Sequence, residues 1–520
     1  MIIKKVAATF FMVLFCCILY AKEGYRIVLQ TNSPKHEAKA SLILSTWRGN
    51  ITIDSTLADK KGYITFKGKK NLTPGEYIVK WNGKSIELFI SDDGYTNEKF
   101  LLDGEKIVHK SGNAENGHFA EFQNLISYGW KSLPNAASLQ SKIDSVAAIL
   151  EHNLQGSLFN LMLNGKTGNR YLTDNRIANT RFGKKYLTDH LEEIEYNHND
   201  TLITKADSLI TQASDSIKPL AALEIYRYFS EPKIMGQESI ACHVAEQYFL
   251  NKALHANQSD MFEMSTFVML NKNSLLGMPA KELQMKDTAG SVISLHRLAG
   301  RGEYTILYFY TDDCIVCRIE TPKLAEFANN YNAGTLNVYA VYTQDYRERW
   351  IKYIKENFNI NNPSANWVNV WDPEIESGFH LVYNVISTPQ IYLLDKSGTI
   401  IGRNLDVKAL KELIGAQDAM RENMMLFIST YLSQYGNSEE GLREGIDLLY
   451  EKSKDNPDIF RDIFMALYNY LKDSPDLTYK ESCIYLAHKY IIGMAALWDR
   501  PIFVNMVAEE LPQMEQNLKK

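Results

Sequence analysis

A chain of 520 residues with 45% hydrophobic and 23% charged side chains is globular rather than disordered, and at roughly 150 residues per domain it is too long for a single domain. Its 56 Lys and Arg against 62 Asp and Glu leave a net charge of −6 with no basic block, which excludes a nucleic-acid backbone as a partner.

The chain begins Met1-Ile2-Ile3-Lys4-Lys5, continues in an uncharged run from Val6 to Tyr20, and reaches Ala21 before Lys22-Glu23. A short basic start, an apolar run too short to span a bilayer and a small residue at its exit predict a secretory signal over residues 1–21. A rival reading makes Cys17, three positions after Leu14, a lipid-modified anchor, but the bulky Phe15 and the apolar Ile18-Leu19-Tyr20 argue against it. Of six cysteines, Cys16 and Cys17 leave with the signal, so Cys242, Cys314, Cys317 and Cys483 remain. That is few for an exported chain stapled by disulfides, and two of the four form one C-x-x-C pair.

Residues 22–112 form short runs of two-residue alternation, including Ser41–Ser45, Tyr63–Phe66, Glu76–Trp81 and Ile86–Ile90, broken by Gly49-Asn50, Pro74-Gly75 and Asn82-Gly83. The pattern predicts a small antiparallel β-sandwich, with Trp47 and Trp81 in its core. Residues 113–270 switch to helical spacing, in runs such as Leu139–Leu154 and Ala221–Tyr228, and residues 417–520 do so again. At a constant offset of 242, Ile217, Tyr226, Tyr228, Ala245 and Tyr248 match Ile459, Tyr468, Tyr470, Ala487 and Tyr490, which predicts a diverged helical repeat. Cys242 and Cys483 miss equivalence by one position and read as separate buried thiols. The cluster Asp189-His190-Leu191-Glu192-Glu193-Ile194-Glu195, with His198 and Asp200, has metal-capable side chains at no metalloenzyme spacing. It reads as a solvated helix face, and no metal is expected.

Between the helical regions, residues 271–416 predict an α/β domain. Tyr304–Tyr310 is a continuous β-rich apolar run, as in a buried parallel strand, and Cys314-Ile315-Val316-Cys317 opens a helical segment behind it. A thiolate at a helix N-terminus is favoured by unpaired backbone N–H groups and the positive dipole end. Cys314 is therefore the attacking sulfur, and Cys317, one turn on, the resolving one. A zinc site would need a second pair or matched histidines, and the sequence has neither.

Residues from Leu276 to Gly415 resemble the thioredoxin-like exported thiol-disulfide oxidoreductases of the TlpA/ResA branch, which borders the AhpC/TSA peroxiredoxins. Gly277-Met278-Pro279-Ala280, Asp287-Thr288-Ala289-Gly290 and Ile293-Ser294-Leu295 are similar to that branch's N-terminal hairpin, and Asp345–Val385 to its insertion. Pro322 matches the proline of the active-site helix. Ser387-Thr388-Pro389 matches the cis-proline loop, so the resemblance implies that Thr388 and Pro389 pair with substrate backbone. It also implies an envelope enzyme exchanging disulfides with protein thiols and an upstream redox partner, without metal or organic cofactor, at the membrane only if lipid-modified.

Departures bear on mechanism. Ile315-Val316 stands where thioredoxins carry Gly-Pro, and Asp313 where they carry Trp. Asp312 and Asp313 oppose the Cys314 thiolate while Arg318 favours it. Tyr308 replaces the buried acid, with Glu320, Asp345 and Glu348 as possible substitutes. Two rivals stand beside the enzyme reading: a scaffold using the fold for binding alone, and a peroxiredoxin-like peroxidase. The peroxidase gains from Thr311 but loses from Leu307, where its proline belongs, and from the adjacent Cys317.

Overall fold

The structure, a computed structural model, describes residues 23–31, 38–132, 141, 144, 154, 156–165, 167–251, 253–498 and 500–518. The signal read over 1–21, the alternative anchor at Cys17 and nearly all of the run 139–154 lie outside the described residues. The protein is multidomain α+β, with N-terminal β-sheets, a helical region, and an α/β domain followed by helices. Two compact units comprise residues 1–228 with 247–256, and 229–246 with 257–520.

The first unit starts with eight strands: β1 (Tyr25–Thr31), β2 (Lys39–Thr46), β3 (Gly49–Leu57), β4 (Tyr63–Gly68), β5 (Gly75–Trp81), β6 (Lys84–Ile90), β7 (Thr96–Asp103) and β8 (Lys106–Ser111). They form two four-stranded sheets, β4-β1-β7-β8 and β3-β2-β5-β6. Alternation turns Ile27, Leu29, Leu42, Val79, Leu88 and Phe100 into one shared core, as a sandwich requires. Asn82 and Gly83 both have positive φ, the geometry of a two-residue hairpin turn, and they close β5 onto β6. Trp47 and Trp81 are buried. The sheets are not wholly antiparallel: β1 pairs in parallel with β7, because the chain crosses to the other sheet and back before β7 reaches the free edge of β1.

The helices that follow are α1 (Ala114–Ser132), α2 (Leu158–Asn164), α3 (Arg181–Ile194), α4 (Asn199–Gln212) and α5 (Lys218–Ser230). Buried Glu76 on β5 accepts hydrogen bonds from the Arg181 backbone N–H and guanidinium, which pins the start of α3. Asp189 of the acidic cluster pairs with Lys185 one turn earlier, while Leu187, Leu191 and Ile194 face inward.

In the second unit α6 (Glu238–Val244) and α7 (Gln258–Asn271) precede the α/β domain. Its elements are β9 (Gln284–Asp287), β10 (Val292–Ser294), α8 (Leu295–Ala299), β11 (Tyr304–Tyr310), α9 (Ile315–Asn330), β12 (Leu336–Tyr342), α10 (Arg347–Asn357), β13 (Ala365–Trp371), α11 (Phe379–Val382), β14 (Gln390–Asp395) and β15 (Ile400–Gly402). The sheet order is β10-β9-β13-β12-β11-β14-β15, with β11, β12 and β13 parallel and β14 antiparallel beside β11. All seven residues of β11 are buried, since helices cover both faces of a central parallel strand. Ile306, Tyr308 and Tyr310 enter the core under α9 and α10, and Leu307 and Phe309 enter the opposite one.

The last helices are α12 (Val407–Leu432), α13 (Glu439–Ser453), α14 (Pro457–Asp473), α15 (Leu477–Leu486) and α16 (Pro501–Leu518). The boundary expected between 416 and 417 falls inside α12. Asp406 caps its start by accepting from the Ala409 N–H, and Gly415 lies within the helix without ending it. Val407, Leu410 and Ile414 belong to the sheet core, and Ile428 and Leu432 to the C-terminal helical core.

The offset of 242 extends to secondary structure, bringing α4 to α13, α5 to α14, α6 to α15 and α7 to α16. Both copies run into a π-helical turn at the matched alanine, Ala245–Leu250 and Ala487–Ile492. The Ala245 N–H bonds the carbonyls of Ala241 and Cys242, and the Ala487 N–H the equivalent carbonyls of Cys483 and Ile484. Tyr248 donates to Asp207 at 2.8 Å and Tyr490 to Asp447 at 2.6 Å. The copies diverge at Ile217, fully buried, and Ile459, 49% exposed.

Candidate active site

β11 delivers the chain to Thr311, whose hydroxyl donates to the exposed Asp313 carboxylate at 2.7 Å. Cys314 follows as the N-cap of α9 with extended φ and ψ, and its sulfur accepts the Cys317 backbone N–H at 3.1 Å. A sulfur thus fills the place where a Ser or Asp oxygen would satisfy an orphan donor of the first turn. Helical geometry then sorts the motif. Ile315, 75% exposed, and Val316 face out, while Cys317 faces in and is fully buried. Both cysteines are free thiols.

The loop before β14 supplies the other wall. The Cys314 thiol donates to the Thr388 carbonyl at 3.1 Å, and the Thr388-Pro389 bond is cis. Pro389 lies with Val316, Ile386, Glu320, Asn404 and Asp406 along a groove of about 610 Å³. Cys314, Cys317, Thr388 and Pro389, distant in sequence as two pairs, therefore meet at one edge of the domain.

The opposing charges around Cys314 resolve into an ion pair. Asp312 accepts from the Tyr342 hydroxyl at 2.6 Å and from Arg349 Nε at 2.6 Å. Burial works to raise its carboxyl, but these hydrogen bonds and the Arg349 charge outweigh it and hold Asp312 below the ordinary carboxylate range. Arg318 turns its Nε onto the Asp312 carbonyl at 3.0 Å. Cys317 is pushed up to about 12, by burial first and then by the adjoining Cys314 sulfur.

The three suggested acids are not brought to the sulfurs in one way. Asp345 and Glu348 are exposed. Glu320 is buried at the groove, but its oxygens are taken by the Val407 N–H at 2.9 Å and Lys323 at 2.7 Å, where it caps α12. Sequence reasoning missed Arg349 and Tyr342. Nothing in the linear sequence marks either.

The AhpC/TSA family model matches residues 276–403. The match assigns this domain, and not the rest of the chain, to the AhpC/TSA family. No curated protein matches the chain. Among solved structures, a domain of a possible thiol-disulfide isomerase from Cytophaga hutchinsonii is 31% identical, with 29% of this chain and 97% of that one covered and a TM-score of 0.25. The thioredoxin domain of a thiol-disulfide oxidoreductase from Bacteroides vulgatus is 26% identical over 27% and 96%, with a TM-score of 0.24. A thioredoxin-like protein from Bacteroides caccae is 18% identical over 44% and 82%, with a TM-score of 0.35. The matched residues thus contain every site residue described above except Asn404, Asp406 and Val407, which lie just beyond their end.

Proposed function

We propose that this protein is an exported thiol-disulfide oxidoreductase of the cell envelope that exchanges disulfides with protein partners through Cys314 and Cys317. The observation that carries the reading is the seating of the Cys314 sulfur between the first-turn N–H of Cys317 and the Thr388 carbonyl. Arg349 pairs with Asp312 two residues before Cys314. The thiolate attacks a partner disulfide, one partner sulfur leaves, and Cys317 displaces the other to close the Cys314–Cys317 bond; the reverse sequence uses the same atoms. No metal or organic cofactor enters these steps. Among the described residues no helix is long and apolar enough to cross a membrane; membrane attachment is proposed only through lipid at Cys17.

Cys317→Ala expressed in the native envelope is expected to accumulate mixed disulfides with partner proteins, seen by mass spectrometry after acid quenching. They should vanish in the Cys314→Ala, Cys317→Ala double variant. A protein that forms none, yet co-purifies with a stable partner, is a scaffold.

A further inference from the structure

The loop that carries Thr388 and Pro389 is anchored to the end of α7. Its first foot is Asn384, whose φ of +49° puts a non-glycine residue in the left-handed region. Asn384 Nδ2 donates to Asn271 Oδ1 at 3.1 Å, and Arg403 Nη2 donates to the same oxygen at 2.8 Å. The Asn271 amide nitrogen in turn donates to the Phe267 carbonyl at 2.9 Å, so this side chain is held at both of its polar atoms. The second foot is Gln390. Its Nε2 donates to the Tyr383 carbonyl at 3.2 Å, and the Tyr392 hydroxyl donates to that same carbonyl at 2.5 Å. Tyr392 Oη lies 3.4 Å from Ser274 Oγ, just past α7, and Arg403 Nη1 donates to the Ser274 carbonyl at 3.1 Å. Both feet are thus tied to each other and to residues 271–274.

Apolar side chains could hold a loop at less cost. Arg403 is 1% exposed, and its Nε lies 3.6 Å from the buried Glu238 carboxylate of α6; Asn271 and Gln390 are buried as well. A buried ion pair with its amide partners rarely stabilises more than apolar packing of the same volume would. What it adds is direction, because a hydrogen bond fixes an angle that apolar contact leaves free. Between the two feet Ile386 and Ser387 are exposed, and the Thr388 carbonyl accepts from the Cys314 thiol. The segment whose direction is fixed is therefore the one that meets the reacting sulfur. Asn271 and Ser274, which fix it, lie before residue 276, where the AhpC/TSA match begins.

We propose that Asn271, oriented by Arg403, is a positioning residue for disulfide exchange, setting the Thr388-Pro389 loop to take the backbone of a polypeptide disulfide beside Cys314. The proposal rests on the exchange reading above. It gives the helices before the α/β domain a part in choosing substrates. A disulfide carried on a peptide gains from the set loop, and one without a peptide backbone does not. In the step that separates them, the Cys314 thiolate attacks the cysteine sulfur of a peptide bearing thionitrobenzoate. The Cys314–peptide S–S bond forms as the bond to thionitrobenzoate breaks, and thionitrobenzoate leaves with the electron pair.

The test compares the full chain on two disulfides with the same leaving group, 5,5′-dithiobis(2-nitrobenzoic acid) and a capped peptide whose central cysteine is joined to thionitrobenzoate. Stopped flow reads the first thionitrobenzoate released from each, and glutathione, a thiol without a loop, gives the intrinsic ratio of the two rates. The unaltered protein should favour the peptide beyond that ratio. Asn271→Ala should lower the preference about tenfold, roughly the factor of one hydrogen bond, while attack on the small reagent changes less than about twofold. Asn271→Asp, which keeps an oxygen for both donors, should retain the preference. Tyr392→Phe removes one of the two donors to the Tyr383 carbonyl and should lower it about threefold. That variant keeps its ring, so it decides the matter if Asn271→Ala does not fold. Rates that fall together on both reagents, a preference that survives the variants, or one no greater than glutathione's in the unaltered protein overturns the proposal. Absence of release from either reagent by the unaltered protein overturns the exchange reading itself.

Discussion

Cys314 stands just before a helix, half-buried, with a backbone N–H on its sulfur; Cys483 stands inside one, fully buried, with its thiol on the Tyr468 carbonyl at 3.5 Å. Cys242 occupies the same kind of place in the first helical copy, inside α6. All three lie at or within helices, so residue type and nearness to a helix do not separate them. Position along the helix does. The first turn has unpaired N–H groups to offer a sulfur anion, whereas the interior offers carbonyls already engaged in the helix. Burial pushes both Cys242 and Cys483 up to about 12.

The contrast is most easily broken by alkylation. Each unit of pKa is a tenfold change in thiolate, so thiols raised from about 8.5 to about 12 should react roughly three orders of magnitude more slowly than a free cysteine. Peptide mapping after iodoacetamide at pH 8 should find label on Cys314 well before Cys242 or Cys483, and on all of them after unfolding. Equal labelling in the folded protein would mean that the helix interior does not protect a thiol as argued.

A smaller effect is expected at the charges around Cys314. Arg349→Gln removes the partner that neutralises Asp312, so attack on a disulfide at pH 7 should slow roughly threefold, less so in high salt. Asp312→Asn added to Arg349→Gln should restore the rate. A loss that persists in the double variant would trace to packing instead.

The least effect concerns acid stability. Because Asp312 is held below its ordinary value in the fold, its contribution is complete above the unfolded carboxyl's pKa of about 3.9 and is lost as pH falls through the lower folded value. Tm measured against pH should therefore drop less steeply below pH 4 in Asp312→Asn than in the unaltered protein. Parallel curves would remove Asp312 from the account.

What could be read in the linear sequence was whatever repeats or clusters locally. Tyr304–Tyr310 announced a buried strand because six apolar residues and one threonine in an uncharged row fit few other structures, and Asn82-Gly83 announced its turn. The parallel pairing of β1 with β7 was hidden, since alternation marks a strand's faces but not its neighbour. At the site, the local pairs Cys314–Cys317 and Thr388–Pro389 were legible. Arg349 was not, because α10 brings it to the sulfur-bearing helix across an interval that carries no motif. The end of the α/β domain was misplaced at 416 because a helix can begin in one core and finish in another without any break in its own periodicity.

That helix has a practical meaning for anyone who handles the protein in pieces. α12 is also fastened to the start of β11 about its midpoint, where Asp418 accepts from Tyr304 at 3.1 Å and Arg421 pairs with Glu303 at 3.0 Å. A protease needs an extended, accessible stretch to bind, and residues 407 to 432 present hydrogen-bonded helix throughout. The redox domain and the helices behind it offer no seam there, so a fragment ending near residue 416 would stop in mid-helix and leave its own sheet half unlatched.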